Sequence, residues 1–152
     1  MSDTTSALLT LAGTASLAIA MLQFVMYFGG PAMYRYCGTP EFLIAFRVRQ
    51  PVWAFLLEVA LFCLFSVFAA YAFSGAGWIR PLPWRAPMLA AIAVVYLLRG
   101  LLVIVQLTGS VALSRPRDIL YSFLALAIGM AYAVPTWPHW RELLQLVDAG
   151  QR

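Results

Sequence analysis

Polar residues thin out over four long stretches of this chain: Ala7 to Phe28, Pro51 to Phe73, Pro87 to Gly109 and Arg117 to Pro135. A hydrocarbon layer of about 30 Å takes about 20 helical residues to cross. In such a solvent each backbone N–H and C=O has to be satisfied within its own segment, so the pattern predicts four spanning helices. Pro51, Pro87 and Pro116 fall at the starts of the last three, where a missing N–H costs nothing. Gly29, Gly30 and Pro31 are expected to close the first helix, and Pro135 and Pro138 the fourth.

Two shorter segments have an amphipathic rhythm. Thr39-Pro40-Glu41 reads as a helix start with Thr39 as cap. Phe42, Leu43 and Phe46 then fall on one side, and Arg47, Arg49 and Gln50 on the other. Near the C-terminus Trp140, Leu143, Leu144 and Val147 recur at i, i+3, i+4 and i+7, opposite Arg141, Glu142, Gln145 and Asp148. Helices over about 40–50 and 138–148 are therefore expected to lie along a membrane surface. The predicted fold is an all-α integral membrane protein, with residues 1–152 as one membrane domain. It is a four-transmembrane-helix bundle with one interfacial helix in its first loop and another at its C-terminus.

Composition supports this. The 152 residues are 63% hydrophobic and 11% charged, against about half and about a quarter in soluble domains. The net charge of +4 comes entirely from arginine, with no lysine. These arginines are dispersed between apolar segments, which suits lipid head groups and gives no nucleic-acid footprint. The opening MSDTTS has Asp3 and no basic residue, so the first apolar stretch is expected to remain in the mature protein.

Four spans put Arg35, Arg47, Arg49, Arg115 and Arg117 on one side and Arg80, Arg85, Arg141 and Arg152 on the other. The bias predicts a bacterial inner-membrane protein, multi-pass, with both termini periplasmic. Trp78, Trp84, Trp137 and Trp140 share the terminal side, as an interfacial belt.

Two charges interrupt the apolar spans. Glu58 lies about 10 Å into the second helix and Arg99 about 15 Å from the same surface in the third. A lone charge in mid-bilayer costs at least about 2.5–3.5 kcal/mol, so the two are expected to pair. Gln23, Tyr96, Gln106, Asp118, Tyr121 and Ser122 add polar groups on the same side. This cluster is either a ligand pocket or a network that fixes helix register. Small residues form two ridges, Ala12-Ser16-Ala20 and Ala125-Gly129-Ala133, which let helix backbones approach within the bundle or between protomers.

Catalytic chemistry is not legible. His139 is the lone histidine, and no metal-ligand set, cofactor motif, phosphate loop, nucleophile elbow or CxxC occurs. Cys37 and Cys63 are expected to be unpaired thiols. The reading favoured by exclusion is a protein acting through helix–helix contact, as an accessory subunit or a protective partner of a membrane-active protein. Its partners are then the lipid bilayer and another membrane protein or a second copy. The alternative is a ligand-binding or transport protein built around Glu58 and Arg99; a weaker one is a membrane enzyme on lipid or thiol substrates.

Overall fold

A computed structural model describes the backbone of residues 3–107 and 116–149, with side chains over 3–102, 104 and 119–137. Every described element is an α-helix: α1 (Asp3–Tyr36), α2 (Glu41–Arg49), α3 (Pro51–Ala76), α4 (Arg85–Leu107) and α5 (Pro116–Ala149). Four of them, all but α2, are long and apolar enough to cross a membrane.

The first boundary differs from expectation for a specific reason. Gly30 does break α1, with φ 70° and ψ −171°, a left-handed φ that favours glycine. The helix nevertheless resumes and runs to Tyr36. Pro31 has no N–H to give the carbonyl of Tyr27 four residues back. The guanidinium of Arg47, from α2, donates Nη2–H to that carbonyl instead. Proline closes an isolated helix, but here a side chain from the next element supplies the missing donor.

The C-terminal end needs a similar correction. Backbone helix continues through Pro135 and Pro138 to Ala149, so no separate helix begins at 138. Thr136 sits between the two prolines and donates its hydroxyl to the carbonyls of Tyr132 and Ala133, at 3.0 Å each. The carbonyls that the two prolines leave without a helical N–H are those of Ala131 and Val134, and Thr136 bonds their neighbours. At α2 the cap position belongs to Pro40 rather than Thr39, and no side chain caps it. Gly77, left-handed at φ 86°, ends α3, its N–H reaching the carbonyls of Phe73 and Ser74.

The helices do not pack in chain order. The two extensive seams are α1 against α3 and α4 against α5, while α3 and α4 touch only sparingly. Glycine sets both distances. A Cβ on Gly100 would stand 2.7 Å from the backbone N and Cα of Leu126, and one on Gly129 would stand 2.9 Å from the backbone N of Leu97. Across the other seam a Cβ on Gly13 would meet the Phe73 ring at 3.0 Å. Ala12, Ser16 and Ala20 are buried in the bundle, as are Ala125 and Gly129, with Ala133 half-buried. Both small-residue ridges are thus used inside the chain.

The outside is strongly apolar. Leu11, Val25, Phe28, Val52, Trp53, Val67, Leu98, Leu120 and Met130 are all exposed. Soluble monomers rarely show contiguous apolar surface on this scale.

Candidate functional site

Three polar groupings lie within the bundle. The first joins α1, α2 and α3 at the end where α3 begins. Glu58 is 8% exposed. Its Oε1 accepts a hydrogen bond from the hydroxyl of Tyr34, which stands on the segment of α1 beyond the Gly30 break. The Tyr34 ring lies 5.0 Å from the Arg47 guanidinium, which also covers the Tyr27 ring at 4.8 Å. Met26, Tyr34 and Ile44 form a small apolar core beneath it. Glu58 Oε2 and Arg47 Nε are buried without a hydrogen-bond partner among the described residues. One tyrosine ring therefore separates a carboxylate and a cation, each with capacity to spare.

The second grouping is at Arg99 on α4. Its Nη1–H donates to Ser122 Oγ on α5 at 3.1 Å, and the residue is otherwise exposed. The expected Glu58–Arg99 ion pair is not formed. Glu58 belongs to the α1/α3 seam and Arg99 to the α4/α5 face, and the sparse α3–α4 contact brings neither to the other. Helix rotation, which decides partners, is set by the glycine-lined seams. Among the described residues the one salt bridge is Arg35 to Glu41, at 3.2 Å on the surface.

The third grouping is a buried chain of hydroxyls in mid-bundle. Tyr132 donates to the carbonyl of Phe68 at 3.1 Å. A phenol has one proton, so the 2.9 Å contact between Ser16 and Tyr132 has to be Ser16 donating. With the serine proton committed, the 3.0 Å contact to Tyr96 is Tyr96 donating to Ser16. The order Tyr96, Ser16, Tyr132, Phe68 carbonyl thus runs one way and ties α4, α1, α5 and α3 together. The two rings stack, 5.7 Å apart and 11° from parallel.

Of the residues singled out from sequence, Glu58 and Tyr96 are buried, Gln23 and Tyr121 are half-buried, and Arg99 is exposed. They do not converge on one pocket. The side chains of Gln106 and Asp118 lie outside the described residues. Cys37 and Cys63 are both free thiols. Tyr34, Arg47 and Tyr132 were not anticipated. Tyr132 had a readable cue, because a tyrosine deep in an apolar helix needs a partner for its hydroxyl. Arg47 had none, since it resembles any interfacial arginine. No protein-family model matches the chain, and neither does any curated protein or solved structure.

Ser16 supports a first prediction. Ser16→Ala leaves the Tyr96 hydroxyl with no acceptor and is expected to cost about 1–3 kcal/mol, the usual penalty for an orphaned buried donor. Thermal melting in mild detergent measures this. Tyr96→Phe added to Ser16→Ala should then recover part of the loss. If the two losses simply add, the hydroxyl chain contributes nothing as a unit.

Proposed function

We propose that this chain is a multi-pass protein of the bacterial inner membrane that works by side-by-side contact with another membrane protein. It would serve as an accessory subunit or as a protective partner, with its termini periplasmic by the arginine bias. The observation that carries the reading is the exposed Arg99. It stands eight residues before Leu107, about 12 Å along α4, and about 21 Å from Arg85 at the other end. With α4 in a bilayer, that depth is hydrocarbon, where an unpaired guanidinium costs at least about 2.5–3.5 kcal/mol. The hydroxyl of Ser122 gives it a hydrogen bond, and among the described residues no carboxylate gives it a countercharge.

The surroundings of Arg99 suit a partner helix. Val95, Leu98 and Leu102 on α4, with Leu120 and Phe123 on α5, are exposed and apolar. One cation in such a field is complementary to one carboxylate in an apolar helix. A second copy does not supply it from the described residues. Asp3 lies at the start of α1, Glu41 is paired with Arg35, and Glu58 is buried against Tyr34. We take the partner to be a different protein with an acidic residue in its own span.

Affinity capture from detergent-solubilised native membranes tests this. Wild type should retain a specific membrane protein, and Arg99→Leu should lose it by about tenfold or more, a difference of about 1.4 kcal/mol in binding. The variant should melt no lower than wild type, because it removes a charge from hydrocarbon. Arg99→Asp should regain the partner when the partner's own carboxylate is changed to arginine. Equal recovery by wild type and Arg99→Leu, or an arginine that cross-links to lipid phosphate alone, would overturn the reading.

A further inference from the structure

A cavity of about 300 Å³ lies at the end of the bundle remote from Glu58, where α1 and α4 begin and α3 ends. Leu9, Gly75 and Leu89 form its aliphatic wall, and Arg85, Thr5 and Thr136 supply its polar groups. Among the described residues no acidic one lines it.

The rim is built rather than loose. Ser74, fully buried, donates its hydroxyl to the Arg80 carbonyl at 3.1 Å and accepts the Leu82 N–H at 2.9 Å. This side chain, together with the Tyr71 hydroxyl that donates to the Pro83 carbonyl at 3.3 Å, ties the connection between α3 and α4 back onto α3. Trp84 then adopts φ 56°, left-handed backbone that a bulky residue seldom takes. Its carbonyl accepts the Met88 N–H at 3.0 Å and opens α4, so that Arg85 borders the cavity. The guanidinium of Arg85 makes one long contact, 3.4 Å to the Ser74 carbonyl, and no salt bridge among the described residues.

We infer that this cavity binds a single-chain anionic amphiphile, with its carboxylate or phosphate on Arg85 and its chain between Leu9 and Leu89. The charge argues for the head group: a cation with no carboxylate beside it among the described residues prefers an anion, and guanidinium suits the planar fork of a carboxylate or phosphate. The wall argues for the chain. The volume argues for its length, since a dry cavity of about 150 Å³ admits benzene and about twice that admits roughly eight carbons. The inference is independent of Arg99, which stands about 21 Å farther along α4.

The test uses the full chain in phosphatidylcholine nanodiscs, titrated calorimetrically against empty nanodiscs with octanoate or octyltrimethylammonium. Octanoate should bind saturably and the ammonium should not. Arg85→Gln should weaken octanoate by about tenfold or more, the usual scale for losing a charge-assisted contact. Ala86→Phe, which fills the cavity from its wall, should abolish binding, with melting curves showing that both variants remain folded. Substituting phosphatidylglycerol for part of the lipid separates two sources of the same chemistry. An unchanged apparent Kd supports a single-chain acid taken from water, and a raised one shows that a two-chain phospholipid competes for Arg85 and overturns the single-chain assignment. The inference is overturned by absent saturation with octanoate, by equal affinity for the ammonium, or by wild-type binding in both variants.

Discussion

Gly100→Ala should unsettle this bundle more than any other added methyl group, by about 3 kcal/mol, the upper end of the usual overpacking cost. The new Cβ would stand 2.7 Å from the N and Cα of Leu126. Backbone atoms cannot rotate aside, so α4 and α5 have to separate along their whole seam. Separation also draws Leu97 off Gly129, whose own allowance is 2.9 Å from the backbone N. Gly13→Ala is the natural comparison. Its Cβ would meet Phe73 Cε1 at 3.0 Å, a ring edge that can turn, and a cost of about 1 kcal/mol suffices. Thermal melting of both variants in detergent ranks them. Should Gly13→Ala prove as damaging as Gly100→Ala, close backbone approach is not what sets the α4–α5 distance.

Arg47→Leu is expected to cost about 2–4 kcal/mol. It removes a charged hydrogen bond to a carbonyl, worth about 1.5–3 kcal/mol, and stacking on two tyrosine rings, worth about 0.5–1 kcal/mol or more. The Tyr27 carbonyl that Arg47 serves is short of a donor because residue 31 is proline. Pro31→Ala restores an N–H at that position, which reaches the Tyr27 carbonyl as Gly30 returns to helical φ and ψ. In the Pro31→Ala background, Arg47→Leu should accordingly cost at least about 1 kcal/mol less, a coupling that a double-mutant cycle resolves. Additive losses would show that the arginine stabilises α2 by packing alone.

The same pair of residues explains how far sequence reasoning reached. Four apolar runs and their helix-starting prolines follow from local chemistry, and α3 and α4 begin within two residues of expectation. Gly29, Gly30 and Pro31 were expected to close α1, whereas the chain only breaks at Gly30 and the helix resumes to Tyr36. The repair at Pro31 depends on a residue sixteen positions later, which no local rule contains. Pro135 was expected to end its helix, and α5 instead runs through it to Ala149.

The candidate site was legible in residue type and not in partnership. A carboxylate and a guanidinium inside apolar helices stand out in any sequence, and both Glu58 and Arg99 did. Which group each one meets depends on the rotation of α3 and α4, and consecutive helices were assumed to be neighbours. Gly13, Gly75, Gly100 and Gly129 decide that rotation by permitting close approach on particular faces. Glycine is apolar and small, so hydropathy passes over it.

The order of pairing bears on how the polypeptide is put together during synthesis. The N-terminal half can complete its own interface, α1 on α3 with α2 tucked beside them, before α4 leaves the ribosome. The C-terminal half closes by itself in the same manner. What rivets the halves is a relay of three oxygen-bound protons that ends on Phe68, so cutting the peptide between residues 77 and 84 would spare both main interfaces and the rivet too.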